Sequence, residues 1–157
     1  FFIYQLYLIF KTKVRKQKDI YYRYIVFSII NFIIALVLVC FYFVLSNDYL
    51  LFISGFIFLL GFLTPIITAH LYKIIPFLVW FHRFSSLVGK QKVPMLADMV
   101  PVKSSDFGFA FYLLGFILSL IAFIFSSDIL FKSAVSFLFV GTSFIVKDVF
   151  YIINFKG

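Results

Sequence analysis

The sequence predicts an all-α, polytopic integral membrane protein with four transmembrane helices and a cytoplasmic interfacial segment. Three observations predict it. Four apolar runs, at about residues 21–45, 49–72, 107–125 and 129–153, have the roughly 17–25 residues that carry a helix across a bilayer. The chain of 157 residues is 64% hydrophobic and 13% charged, with a mean hydropathy of +1.13. Soluble domains hold about 45–50% apolar and about 25% charged residues. The charges are also sorted, with basic residues gathered in alternate connections between the runs.

The elements follow in order. FFIYQLYLIF, residues 1–10, is apolar but too short to span, and it lacks the basic region and cleavage site of a signal peptide. It reads as the last turns of an earlier helix, so the chain is expected to be the C-terminal part of a longer protein. Lys11 to Asp19 then carries five of the fourteen basic residues. The first span opens on the aromatic belt Tyr21, Tyr22 and Tyr24 and closes near Phe41 to Phe43. Ser46-Asn47-Asp48 is a turn and a cap. The second span contains Gly55 and Gly61, which permit close helix approach, and Thr64-Pro65, which predicts a kink.

The apolar character runs on to Arg83. Asp48 to Arg83 would reach roughly 50 Å as one helix, against a hydrocarbon core of about 30 Å. Pro76 removes a backbone donor and disfavours helical geometry at Ile75. A bend or helix end is therefore expected between His70 and Pro76, with Phe77 to Leu87 lying along the cytoplasmic interface. Residues 73–105 form the interfacial segment and loop, and Pro94 to Pro101 bracket a short helix. Ser104-Ser105-Asp106 caps the third span, in which Gly108, Gly115 and Ser119 present small residues to a neighbour. Ser126-Ser127-Asp128 caps the fourth.

Charge sets topology and excludes function classes. The net charge is +8. The basic residues flank apolar spans, so they mark cytoplasmic loops rather than a nucleic-acid surface. Residues 11–23, 73–103 and Lys156 are expected on the cytoplasmic side of an inner membrane, with 46–48 and 126–128 on the other side. Both ends of the chain are then cytoplasmic. All six acids are aspartates, and Asp19, Asp48, Asp106 and Asp128 stand where helix caps belong. Cys40 is the single cysteine, which excludes an intrachain disulfide. Gly-rich phosphate loops, Cys-x-x-Cys and His-Glu-x-x-His motifs are absent from the sequence.

Few residues carry chemistry. His70 and His82 are the only histidines. Twelve residues on a straight helix separate them by about 18 Å and about 120°, so they cannot share one metal ion without a break between them. His70 is the better candidate haem ligand and His82 the poorer; both also suit the headgroup region. Lys73, Trp80, Arg83, Lys90 and Lys92 suit contact with anionic lipid headgroups or a partner subunit. Lys147 and Asp148 are the charges set deepest in an apolar run. Lys147 is placed to snorkel. Asp148 is expected to face the bundle and meet a tyrosine or lysine, with a proton relay as its sharper role.

The segment His70-Leu71-Tyr72-Lys73-Ile74-Ile75-Pro76-Phe77-Leu78-Val79-Trp80-Phe81-His82, followed by Val88-Gly89-Lys90-Gln91-Lys92-Val93-Pro94-Met95-Leu96, resembles small bacterial membrane proteins similar to haem-copper oxidase subunit I. The likeness covers about residues 69–101. It implies the C-terminal part of a multi-helix respiratory-type protein, with haem as an implied cofactor and His70 as an implied ligand. The expected function is a non-catalytic part of a larger membrane assembly, with the bilayer and other membrane helices as partners. The alternatives are a haem-binding oxidoreductase and half of a membrane transporter, the latter marked by a discontinuous helix at Gly55, Gly61 and Pro65.

Overall fold

Long apolar runs that satisfy their own backbone hydrogen bonds give helix almost throughout residues 19–155, the part described by the computed structural model. Helix α1 spans Ile20–Leu45 and α2 spans Asp48–Phe56. A π-helical segment, Ile57–Leu63, leads into α3, Thr64–Phe84. Two 3₁₀ turns, Ser85–Leu87 and Leu96–Met99, precede α4, Val102–Phe125, and α5, Asp128–Ile153. No strand occurs among the described residues. Among the described residues, four helices are long and apolar enough to cross a membrane: α1, the continuous Asp48–Leu87 unit, α4 and α5. The expected earlier helix at residues 1–10 and the basic cluster 11–18 lie outside the described residues.

The two turns between hydrophobic helices are built alike. Ser46 and Ser126 both adopt the left-handed conformation, with φ of 48° at each, and end α1 and α4. Asn47 then caps α2 by accepting from the Tyr49 N–H, and Ser127 caps α5 by accepting from the Leu130 N–H. Asp48 and Asp128 occupy the first helical turns, where their charge suits the helix dipole. The caps are thus the residues before these aspartates. Ser104-Ser105-Asp106, expected to be a cap, lies inside α4 instead. The N-cap position of α4 is Pro101, and the fixed proline φ starts the helix early.

The left-handed conformation costs a serine roughly 1–2 kcal/mol, while glycine adopts it freely at an entropic cost of about 0.5–1 kcal/mol. Ser46→Gly and Ser126→Gly are therefore each expected to stabilise the fold by on the order of 0.5 kcal/mol. Thermal unfolding in detergent measures this. A loss of stability in both would contradict the turn geometry.

The irregularity expected at Thr64-Pro65 takes the form of the π-helical segment just before it. The Thr64 N–H donates to the Leu59 carbonyl, five residues back, and Thr64 Oγ1 donates to the same oxygen at 2.9 Å. In this register the Leu60 carbonyl looks to the N–H of residue 65, which proline lacks. Tyr112 Oη of α4 supplies the missing donor at 2.6 Å. The backbone donor that Pro65 removes from one helix is thus replaced from another. Tyr112→Phe should orphan this buried carbonyl and cost about 1–3 kcal/mol, read as a lower thermal midpoint.

Pro76 does not end the helix. The chain stays helical through His70, Pro76 and His82 to Phe84, so Phe77 to Phe84 continues α3 rather than breaking away from it. Asp48–Leu87 is 40 residues, about 60 Å long at 1.5 Å per residue. That is about twice the thickness of a hydrocarbon core. Packing explains the persistence. Thr68, Ala69, Tyr72, Pro76 and Phe84 are buried on α3, and Ile75 and Val79 pack against the same core. One lost backbone donor at Pro76 is outweighed by side-chain burial on both sides of it. Trp80 Nε1 also donates to the Pro94 carbonyl at 2.9 Å, tying the following loop back to the helix. The short helix expected between Pro94 and Pro101 is the 3₁₀ turn Leu96–Met99; its Met99 is fully buried and its neighbour Met95 exposed.

Helices α4 and α5 pack closest. A Cβ on Gly115 would lie 2.6 Å from the Leu138 amide nitrogen, and one on Gly141 would lie 2.7 Å from that of Tyr112. Gly61 plays a similar part between the π-helical segment and Asn31 of α1. Gly55 does not: a Cβ there would meet nothing within 4 Å, and the residue borders an apolar groove of about 200 Å³ with Phe32, Leu36 and Phe58.

The bundle has two chemically distinct ends. At one, Lys73 pairs with Asp19 at 3.6 Å, Arg23 with Asp106 at 3.0 Å, and Arg83 donates to the Phe155 carbonyl at 2.6 Å. At the other, the Tyr49 hydroxyl donates to the Phe123 carbonyl, and Phe52 and Phe131 pack their rings on Phe123. Both ion pairs are solvent-accessible, so each contributes about 0–1 kcal/mol; they mark the charged end more than they stabilise it.

Candidate functional site

Just inside the charged end lies a buried polar cluster. Asp148 on α5 is fully buried, five residues before the helix ends. Tyr72 on α3 donates its hydroxyl to Asp148 Oδ2 at 2.7 Å. Tyr24 on α1, also fully buried, stacks on Tyr72 with ring centroids 6.1 Å apart, and Phe109 of α4 closes edge-on against Tyr24 at 4.9 Å. Four helices thus contribute. Ile20, Ala69, Ile145 and Ile152 form apolar walls around the tyrosines.

Local sequence explains the placement. On α5 the buried positions Ala134, Gly141, Ile145, Asp148 and Ile152 recur at helical spacing, so Asp148 shares the face that packs into the bundle. Lys147, one residue earlier, points elsewhere: it is exposed, with Nζ 5.6 Å from the Phe144 ring centroid. On α3 the buried row Thr68, Ala69, Tyr72 and Pro76 presents Tyr72 to α5.

The cluster is incompletely satisfied. Asp148 Oδ1 and Tyr24 Oη are both buried without a hydrogen-bond partner. An ionised carboxylate offers about four acceptor sites, and here one donor reaches it. Of the nearby buried hydroxyls, Ser28 donates to the Ile25 carbonyl, Thr68 to Thr64 and Ser105 to Val102, while Ser104 Oγ on α4 is a third buried atom without a partner.

The remaining candidates are scattered. His70 and His82 are exposed, and each places Nδ1 against the carbonyl four residues back on its own helix, at 2.7 and 2.8 Å. They share one unbroken helix and do not converge. No group of three or more metal-ligating His, Cys, Asp or Glu side chains occurs among the described residues. Lys73 reaches Asp19 and lies over the Tyr21 ring at 5.2 Å; Lys90 and Lys92 are exposed in the loop. Trp80 and Arg83, candidate headgroup anchors, donate from Nε1 to the Pro94 carbonyl and from Nη1 to the Phe155 carbonyl.

Sequence reasoning singled out Asp148 but not Tyr24 or Tyr72. Tyr24 reads as part of an aromatic belt, and Tyr72 sits inconspicuously between two better-marked residues. The one signal is indirect: an acid outside any cap position demands a donor from another helix. Compared with known proteins, the chain matches no family model, no curated protein and no solved structure.

Proposed function

We propose that this chain is an integral protein of the inner membrane, with its basic end cytoplasmic, and that it serves as a non-catalytic part of a larger membrane assembly. The observation that supports the second half is a polar row on the outer face of α5. Lys132, Ser136, Ser143 and Lys147 are all exposed and fall within about 60° of one another around the helix. The opposite face of α5 is occupied by α4 through Gly141 and Ala134. Ser136 and Ser143 bond to their own helix backbone, so they leave a shallow, satisfied surface that another membrane helix can approach closely. The lysines at its two ends favour a partner with acidic residues near the membrane boundaries. Lys90 and Lys92 extend the basic end toward anionic headgroups.

His70 and His82 are exposed, His70 with its ring edge-on to Tyr21 at 6.0 Å, and the helix runs through Gly55, Gly61 and Pro65 with a π-helical segment at Ile57–Leu63.

Photo-crosslinking amino acids placed at Ser136 and Ser143 test the assembly in the native membrane. Adducts to a second membrane polypeptide from these positions, and not from the apolar positions Leu36 and Val37 on α1, are the expected result. Lipid adducts alone from all four positions would remove the reading.

A further inference from the structure

We propose that Asp148, with Tyr24 and Tyr72, forms an intramembrane binding site for one small positive charge, a proton or an alkali cation. Such a site is distinct from membership of an assembly and does not depend on it.

Two buried polar atoms without partners carry the inference. Asp148 Oδ1 and Tyr24 Oη belong to fully buried residues of one core cluster, joined through Tyr72, which stacks on one and donates to the other. An uncompensated carboxylate in such a place costs several kcal/mol, so a buried acid requires a counter-charge or a proton. The charged and titratable groups around it do not supply one. From α1 the site meets Tyr24, with Arg23 at the rim committed to Asp106. From α3 it meets Tyr72, with Lys73 at the rim paired to Asp19. From α4 the nearest such group in the interior is Tyr112, whose hydroxyl is spent on Leu60. On α5 itself, Lys147 is exposed on another face.

A bound positive charge compensates the buried carboxylate. A proton on Oδ1 neutralises it and leaves the hydrogen bond from Tyr72 to Oδ2 in place. An alkali cation instead takes Oδ1 and the Tyr24 oxygen as ligands, in keeping with the preference of hard cations for oxygen. The chemistry is the same in both cases: one positive charge held against one buried carboxylate.

Infrared difference spectroscopy on the full-length protein in nanodiscs separates the occupants. In sodium-free buffer at neutral pH, a bound proton gives a carboxylic C=O band that is missing in Asp148→Asn. An alkali cation gives a thermal midpoint that rises with sodium or potassium over N-methylglucamine at equal ionic strength, again only with Asp148 present. Tyr24→Phe keeps the ring and the packing, and should weaken occupancy roughly tenfold by removing one polar partner. This variant keeps the test decisive if Asp148→Asn fails to fold. An ionised Asp148 carboxylate signature at neutral pH in sodium-free buffer, with identical midpoints in all three salts, overturns the proposal.

Discussion

Removing the Tyr72 hydroxyl is expected to destabilise the protein by about 3 kcal/mol, because it strips a buried acid of its one donor. Tyr72→Phe changes no packing volume of consequence, so the loss reports the hydrogen bond to Asp148 Oδ2 at 2.7 Å. Asp148→Leu in the same background removes the acid that was left stranded, and should recover much of the loss. The two changes together form a double-mutant cycle between α3 and α5. A coupling of at least about 1 kcal/mol is expected from thermal or denaturant unfolding, whereas additive effects would mean the two side chains do not meet.

The second large effect belongs to the α4–α5 contact. Gly141→Leu places a side chain where Tyr112 backbone nitrogen and Cα already lie, 2.7 and 2.9 Å from a Cβ. Backbone cannot rotate aside as a side chain can, so the helices must separate. The expected cost is at the upper end of overpacking, about 3 kcal/mol or more. Gly55→Ala provides the contrast: its Cβ meets nothing within 4 Å, and alanine is the better helix former by about 1 kcal/mol. It should be neutral or stabilising. Thermal unfolding of both variants in one detergent makes the comparison, and equal losses would show that Gly141 is not at a close contact.

The spans were legible because they rest on local chemistry. Apolar length predicts a crossing helix, and Ser46-Asn47-Asp48 and Ser126-Ser127-Asp128 announce a stop and a restart within three residues. Where the reading failed, non-local packing decided. Pro76 is a sound local signal for a helix end, yet the burial of Tyr72, Pro76 and Phe84 carries α3 through it. Ser104-Ser105-Asp106 has the composition of a cap, but Pro101 starts α4 earlier and frees Asp106 to meet Arg23. The buried site was half legible. Asp148 stands out as an acid in an apolar run, while Tyr72 and Tyr24 become its neighbours only through the register of three helices. That register is set by close contacts such as those at Gly115 and Gly141, which no local pattern specifies.

The four-span arrangement with a cytoplasmic basic end is tested most directly by thiol labelling of intact cells. In a Cys40→Ala background, Ser46→Cys and Ser126→Cys place a thiol in each of the two exposed turns at the end opposite the basic loop. Lys90→Cys and Lys92→Cys place one in the basic loop. An impermeant reagent should modify the two turn positions from outside and reach the loop positions only after permeabilisation. Labelling of one turn but not the other, or of Lys90→Cys in intact cells, would contradict the arrangement.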